Sequence, residues 1–285
     1  MTLPEALSVD ALLPADVACA CEAAGEKKLR MDLVSMVVLA GLAGAFIGLG
    51  AMLFTVTTTG STFGYGPTRL MGGVAFSLGL ILVICAGAEL FTGNTLAVMA
   101  WASGKVPTWL VLRGWGIVFV ANFAGALLTA ILVFATKQWS LSDSQVGGTA
   151  LKIAVTKVNL GFGQAVALGI LCNTLVALAV WLSLAARTFA GKVVAIVFPI
   201  SAFVAAGFEH SIANMYFIPM GLFLKGKPAV VTASGVDPSQ LAKLTWPHFL
   251  VNNLLPVTIG NVIGGALLVG VVYWFVYLRC GHEAG

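Results

Sequence analysis

The sequence predicts an all-α membrane protein with six transmembrane helices, arranged as two inverted halves of three spans each. Composition is the first observation: 59% of the residues are hydrophobic and 9% are charged, which excludes a soluble domain of ordinary size. The second observation is a set of apolar segments, each long enough, at roughly 20 residues or more, to cross a bilayer. The third is a motif that occurs twice inside them. The six segments lie near residues 33–56, 70–100, 111–136, 164–186, 193–223 and 248–278.

The repeated motif reads Gly87-x-Glu89-x-x-x-x-Asn94 in the second segment and Gly207-x-Glu209-x-x-x-x-Asn214 in the fifth. A carboxylate at the centre of a membrane helix costs about 2.5–3.5 kcal/mol, so two matched copies indicate a function. Both segments are too long for one straight span, and a break at each motif divides them into half-helices. The sequence therefore predicts that helices 2 and 5 are broken at mid-membrane, which is typical of transport sites.

A second echo relates the two halves of the chain. Asn122 in the third span and Asn261 in the sixth are each followed by glycine and a Leu-Leu pair, which matches residues 33–136 with residues 164–278. Because each half has an odd number of spans, the second half enters the membrane upside down relative to the first. The two breaks are therefore expected to meet near the midplane.

The segments that flank the transport domain, residues 33–278, carry most information about orientation. Residues 1–32 read as a cytoplasmic N-terminal segment with an amphipathic surface helix and no cleavable signal peptide, and residues 279–285 read as a cytoplasmic tail. Six spans leave both termini on one side. That side carries eight Lys or Arg residues against seven opposite, but its charges cluster beside the first span and in short loops, which favours cytoplasmic termini.

The remaining composition argues against other partners. The net charge of +4 is modest and no basic tract occurs, so nucleic acid is not expected as a partner. The five cysteines show neither disulfide nor zinc spacing, so they are interpreted as free thiols, and no metal or cofactor is expected. They lie at positions 19, 21, 85, 172 and 280.

The chemistry expected at the breaks is anion binding. A broken helix exposes backbone N–H groups and the positive end of its dipole. Four polar residues can cap the half-helices: Thr92, Asn94, Ser211 and Asn214. The alternative is that these residues only repair the break. The duplication of the motif favours a function, as does His210, the one histidine inside a span, beside Glu209. The role of Glu89 stays open.

At these motifs the chain resembles the formate/nitrite transporters. The signatures are Glu89-Leu90-Phe91-Thr92-Gly93-Asn94 and Gly207-Phe208-Glu209-His210-Ser211-Ile212-Ala213-Asn214. The formate channels of that family are the most similar branch, by four further segments: Leu12-Leu13-Pro14-Ala15, Phe76-Ser77-Leu78-Gly79-Leu80, Ile218-Pro219-Met220-Gly221 and Pro256-Val257-Thr258-Ile259-Gly260-Asn261. The resemblance covers essentially the whole chain.

The resemblance implies an aquaporin-like fold, a homopentamer with one pore per subunit, and two apolar constrictions around a central histidine. Thr92 and His210 match the pair that meets the substrate. Lys157 matches a lysine that draws anions toward the pore, and Glu209, Asn173 and Asn214 match the polar network that joins it to the histidine. The cytoplasmic constriction corresponds to Leu80, Leu90 and Phe91, and the periplasmic one to Phe76, Val176 and Phe203.

The function that the resemblance implies is passage of formate in both directions through a bacterial inner membrane, without enzymatic chemistry. The anion would take a proton near His210 and cross the apolar constriction as the neutral acid, because desolvating a bare ion costs many kcal/mol. One departure leaves nitrite, or another small monovalent anion, as the alternative: Thr92 is followed by Gly93-Asn94-Thr95, whereas nitrite channels carry a Gly-His-Thr form and formate channels small residues.

Two other classes of membrane protein fit the sequence less well. A water or glycerol channel would share the six-span layout but carry Asn-Pro-Ala at both breaks, and the chain contains no such triplet. An intramembrane serine protease needs a Ser–His dyad, but His210 and Ser211 are adjacent, and adjacent helical residues point to different faces. Both classes are therefore disfavoured.

Overall fold

The computed structural model describes residues 11–279, and this part of the chain contains helices and no strand. In chain order the helices are α1 (Pro14–Leu29), α2 (Leu33–Thr58), α3 (Tyr65–Cys85), α4 (Phe91–Asn94), α5 (Val98–Ala102), α6 (Thr108–Ala135), α7 (Gln145–Val158), α8 (Phe162–Ala185), α9 (Phe189–Ala205), α10 (Ser211–Leu224), α11 (Pro228–Ser234), α12 (Pro238–Ala242) and α13 (Trp246–Tyr277). The predicted tail lies outside the described residues except for Arg279, as does the cysteine at position 280.

Within residues 11–279, five helices are long and apolar enough to cross a membrane: α2, α3, α6, α8 and α13. Helices α9 and α10 are apolar but shorter. The second and fifth apolar segments of the sequence are each interrupted, since α3 ends at Cys85 before α4 begins, and α9 ends at Ala205 before α10 begins. The all-helical class is confirmed, and the interruptions lie at the repeated motifs.

Close helix packing involves the second echo of the sequence. Helix α2 packs against α6, and α8 packs against α13. A Cβ on Gly44 would lie 2.0 Å from the carbonyl oxygen of Asn122, and one on Gly264 would lie 2.2 Å from that of Ile170. Glycine is therefore required at both crossings, because any side chain would push the backbones apart. These contacts bring Asn122 and Asn261 next to the interruptions.

Two further helices, α1 and α7, pack against the spanning helices without matching the length of a span. One face of α1 is buried and includes Glu22, which bonds Lys105 in the loop before α6. This bond raises the pKa of Lys105 above its ordinary value. Arg30 donates to the Lys105 carbonyl at 2.9 Å. Helix α7 packs against α10 and α11 and also contacts α2, and α1 contacts α5 and α8. Each of the two helices therefore contacts both halves of the chain.

Candidate functional site

Each interruption begins with a glycine in a left-handed conformation. Gly87 has φ +82° and Gly207 has φ +76°, values that residues with a Cβ rarely adopt. After each glycine the chain turns back in the same way, since Ala88 N donates to Val83 O at 2.8 Å and Phe208 N donates to Phe203 O at 3.0 Å. The repeated motif therefore encodes the same backbone turn twice.

Asn122 of α6 holds the first interruption. Its side-chain oxygen accepts from Phe91 N at 2.9 Å, and its amide nitrogen donates to Ala40 O at 2.7 Å and to Glu89 O at 2.9 Å. The side chain is fully buried. One amide therefore satisfies two backbone groups of the break, Phe91 N and Glu89 O, and ties them to Ala40 O of α2.

Asn261 of α13 holds the second interruption by the same three bonds. Its oxygen accepts from Ser211 N at 2.9 Å, and its nitrogen donates to Gly169 O at 2.8 Å and to Glu209 O at 3.0 Å. The second echo of the sequence is thus explained by one structural device used twice, at Asn122 and at Asn261.

Four residues were expected to cap the half-helices, and none of them caps α4 or α10: Thr92, Asn94, Ser211 and Asn214. The first N–H of α4 and of α10 is satisfied from a neighbouring helix by the two asparagines, and α4 has no side-chain cap of its own. The cap of α10 is His210, whose Nδ1 accepts from Ala213 N at 3.2 Å. The amides of Asn94 and Asn214 turn instead to the motif acids.

Glu209 lies in a buried polar cluster with Lys157, Asn214 and Asn253, the Lys157 cluster. Lys157 Nζ lies 2.6 Å from Glu209 Oε1, and Asn214 Nδ2 donates to Glu209 Oε2 at 2.7 Å. Asn253 accepts from Asn214 at 2.8 Å and donates to the Lys157 carbonyl at 2.9 Å. Both charges are largely shielded, with side-chain exposures of 14% for Lys157 and 5% for Glu209. Asn253 was not predicted from the sequence as a site residue.

Glu89 has an equivalent cluster at the first interruption. Lys28 Nζ, from α1, lies 3.2 Å from Glu89 Oε1 and donates to Asn94 Oδ1 at 3.0 Å. Asn94 Nδ2 donates to Glu89 Oε2 at 2.7 Å. Glu89 is therefore paired with Lys28, which was not predicted from the sequence.

Lys28 could have been found by aligning the two halves of the chain. Lys28 precedes Leu39 by the same number of residues by which Lys157 precedes Leu168. The two leucines are structural equivalents, because Leu39 O accepts from Glu89 N at 3.2 Å and Leu168 O accepts from Glu209 N at 3.3 Å.

His210 and Thr92 join the two interruptions. His210 Nε2 lies 3.1 Å from Thr92 Oγ1, and both residues are buried. Because Nδ1 accepts from Ala213 N, the ring proton of neutral His210 is assigned to Nε2, which donates to the threonine. The Thr92 hydroxyl proton is then left to donate to a guest, since no other partner of Oγ1 occurs within residues 11–279.

Asn173 of α8 bonds the first interruption and α13. Its amide nitrogen donates to Asn261 O at 2.6 Å, to Thr95 Oγ1 at 3.2 Å and to Thr92 O at 3.3 Å. Its hydrogen bonds therefore tie the first interruption to α13 and do not reach Glu209.

Two separate cavities approach the His210–Thr92 pair, and the residues that line one do not line the other. The larger, the Lys157 cavity, has a volume of about 560 Å³, and its lining includes Arg69, Phe76, Lys157, Phe203, Glu209 and His210. The smaller, the Lys28 cavity, has a volume of about 320 Å³, and its lining includes Lys28, Leu80, Glu89, Leu90, Gly93 and Asn94. Phe76 and Leu80 are one turn apart on α3, so apolar side chains separate the cavities.

The residues expected at the constrictions divide into two groups. Phe76 packs edge-on against Phe203 at 5.7 Å between ring centroids, and Phe203 stacks on the His210 ring at 5.9 Å. With Leu80 and Leu90 they line the cavities. Phe91 and Val176 are buried and line neither cavity, and the Phe91 ring packs against the Phe119 ring at 5.0 Å between centroids.

Residues 11–279 contain no group of three His, Cys, Asp or Glu side chains suited to a metal ion.

Comparison with known proteins gives consistent matches along the chain. The model of the family described as "Formate/nitrite transporter" matches residues 15–275. Formate channel FocA of Escherichia coli (strain K12) is 43% identical over 273 residues, which cover 95% of this chain and 96% of that protein. A probable formate transporter of Methanothermobacter thermautotrophicus is 41% identical over 283 residues, 93% of this chain and 97% of that protein. A solved pentameric formate channel with formate bound is similar at a TM-score of 0.80 and 42% identity, over 87% of this chain and 98% of that one.

Proposed function

The chain belongs to the formate/nitrite transporter family, and we propose that it is a membrane channel through which formate passes in both directions. The observation that carries this proposal is the buried His210–Thr92 pair, flanked by apolar side chains and approached by one cavity from each side. Similarity to formate channels over 95% of the chain supports formate as the substrate.

The fold that we propose has six spans in an inverted 3+3 repeat, as in the aquaporins. Helix α3 with α4 and α5 forms the second span, and α9 with α10 forms the fifth, each broken at the repeated motif. The identical bonding of Asn122 and Asn261 at the two breaks supports this arrangement. We place both termini in the cytoplasm and the channel in a bacterial inner membrane.

The proposed passage has three steps, beginning when formate enters a cavity as the anion. At the centre the hydroxyl of Thr92 donates a hydrogen bond to its carboxylate, while the Nε2–H of His210 donates to the Thr92 oxygen. Burial among Phe76, Phe203 and Leu90 disfavours the charged form of the guest. His210 passes one proton from solution, where H3O+ becomes water, to formate and returns to its neutral form, and the guest continues as formic acid. The neutral acid crosses the apolar constriction at far lower cost than the bare anion.

The Lys157 cluster positions the His210–Thr92 pair, although no side chain of the cluster bonds the side chain of either residue in the part of the chain that the structure describes. Within residues 11–279 the Glu209 carboxylate makes no hydrogen bond to the His210 ring; it is bound by Lys157, Asn214 and Asn253. We propose that this ion pair fixes the second break and sets the field in which His210 exchanges a proton. Asn173 has the related task of fixing Thr92 through its backbone.

The assembly that we propose is a homopentamer with one pore in each subunit. The similar solved channel is described as pentameric, and the similarity covers 98% of its chain. Native mass spectrometry in mild detergent is expected to give five copies. A spectrum of monomers or tetramers alone would contradict the assembly.

Flux measurements on proteoliposomes test the proposed function directly. Formate, nitrite and glycerol are supplied to the same preparation, and formate is expected to move fastest, nitrite more slowly and glycerol no faster than through empty vesicles. Faster flux of nitrite than formate would instead identify a nitrite channel, which Gly93-Asn94-Thr95 leaves as the second candidate. Formate flux equal to that of empty vesicles would refute the proposal.

A further inference from the structure

The two cavities differ in charge, although each contains a lysine and a motif acid. Lys157 is paired with Glu209, and Lys28 is paired with Glu89. An ion pair of this kind adds almost no net charge to the cavity that it lines. The lysine that the family resemblance credits with drawing anions is therefore largely neutralised in this structure.

The Lys157 cavity holds two further cations, Arg69 and Lys152, and its lining contains no acid besides Glu209. Neither cation makes an ion pair within the described residues. The lining of the Lys28 cavity holds no cation besides Lys28. A net positive charge is thus confined to one of the two cavities.

Arg69 is held in a fixed position at the mouth of the second break. Its Nη2 donates to Val204 O, in the last turn of α9, and its guanidinium lies 5.3 Å from the centroid of the Phe54 ring. The same Nη2 lies 3.7 Å from where a Cβ on Gly207 would stand. Its Nε is buried and has no hydrogen-bond partner.

These features are those of an anion-binding guanidinium. Arginine presents several N–H donors in a planar fork that suits carboxylates and sulfonates, and one bond and a ring contact already restrict its motion. A donor that is buried without a partner is destabilising, and a hydrogen bond to an anionic guest would remove that cost. The ring of Phe54 and the neighbouring Phe217 line the same cavity, so the guest can carry an apolar group.

We propose that Arg69 and Lys152 form an anion-binding site in the Lys157 cavity, where organic anions bind before they reach His210. Formate passes on from this site because it can be neutralised. An aryl sulfonate such as benzenesulfonate remains charged at any working pH, so it occupies the site, cannot cross the apolar constriction and blocks the pore. The blocking step rests on the proposed function; the binding step does not.

The first measurement is equilibrium binding of benzenesulfonate to the purified, assembled protein by calorimetry. Arg69→Gln keeps a donor for Val204 O and removes the charge, whereas Arg69→Lys keeps the charge. We expect Arg69→Gln to weaken binding roughly tenfold, the loss of about one charge-assisted hydrogen bond. Lys152→Gln should weaken binding severalfold, and Arg69→Lys should remain within about threefold of wild type. Lys243→Gln is the matched control, because it removes one exposed lysine that does not line the cavity.

The second measurement is formate flux with benzenesulfonate added to one side of oriented vesicles. We expect inhibition from the side onto which the Lys157 cavity opens, beside exposed Tyr65, and none from the Lys28 side. Inhibition should weaken when salt is raised to about 0.5 M, since exposed charges are then screened over a few ångströms.

The outcomes of these measurements test the binding site, the role of charge and the proposed function separately. Equal binding by wild type, Arg69→Gln and Lys152→Gln overturns the site. A loss with Arg69→Lys as large as with Arg69→Gln overturns the role of charge and leaves Arg69 as a cap for α9. If Arg69→Gln does not assemble, Lys152→Gln decides the result. Wild-type vesicles that fail to move formate but bind benzenesulfonate refute the proposed function and support the site.

Discussion

The sharpest test of the architecture is to remove the side chain of Asn261. This asparagine is fully buried and bonds two backbone groups of the second break, Ser211 N and Glu209 O, and Gly169 O of the neighbouring helix α8. Asn261→Ala removes all three hydrogen bonds together. No other side chain within the described residues bonds these groups, and water has little access to them.

The expected cost follows from the two groups of the break, Ser211 N and Glu209 O, because Gly169 O lies inside α8 and keeps its helical partner. Each buried donor or acceptor left unpaired costs about 1–3 kcal/mol, so the substitution should destabilise the protein by about 2–6 kcal/mol. Domains of ordinary size are stable by about 5–15 kcal/mol, so such a loss is a large fraction of the whole. Asn122→Ala should cost a similar amount, because Asn122 makes the same three bonds at the first break.

Thermal unfolding of the purified protein in mild detergent measures the effect. Asn159→Ala serves as the control, since Asn159 also donates two hydrogen bonds, to Val155 O and Gln240 O, but does so near the surface. We expect the two buried variants to unfold well below wild type and the control to unfold within a few degrees of it. If Asn261→Ala and Asn159→Ala unfolded together, the idea that these asparagines hold the breaks would be wrong.

Three further predictions concern the centre of the pore and the N-terminal helix. His210→Asn keeps a hydrogen-bonding side chain but removes the titrating ring, so formate uptake at acidic pH should fall at least about tenfold while the pentamer persists; flux against pH checks this. Glu209→Gln still accepts from Asn214 but leaves Lys157 without a counter-charge, so flux should fall, and a wild-type profile would mean that Glu209 only repairs the break. Burial raises the pKa of the Cys21 thiol to about 12, so little thiolate forms near neutral pH. Peptide mapping after maleimide treatment should therefore find label on exposed Cys19 before Cys21, and labelling from one side of sealed vesicles reports which side α1 occupies.

The positions of the spans and breaks could be predicted from sequence because they follow from local patterns. Apolar length is local, and a glycine followed by an acid inside an apolar run is visible without any partner. Gly87 and Gly207 indeed have the left-handed backbone that the breaks need. The echo at Asn122 and Asn261 was also visible, but its meaning was not, because each amide bonds two segments that are distant in the chain.

The partners of the motif acids were harder to predict for the same reason. Lys28 lies on α1, outside the apolar segments, and reaches Glu89 across a long stretch of chain. Arg69 reads as an ordinary charge at the start of a span, and its contacts with Val204 and Phe54 come from two other helices. Lys157 was found through the family resemblance, since nothing local distinguishes it from other loop lysines.

The difference between the two breaks bears most directly on mechanism. The backbone turn, the asparagine that bonds it and the lysine–acid pair occur twice, yet the residue after the acid is Leu90 in one copy and His210 in the other. A purely structural repeat would have no reason to differ there, because both positions precede a half-helix and both side chains are buried. With a leucine on one side and an imidazole on the other, a guest meets a single exchangeable ring and then an apolar barrier. We therefore expect the proposed neutralisation at one point along the path, because Leu90, unlike His210, has no group that exchanges a proton.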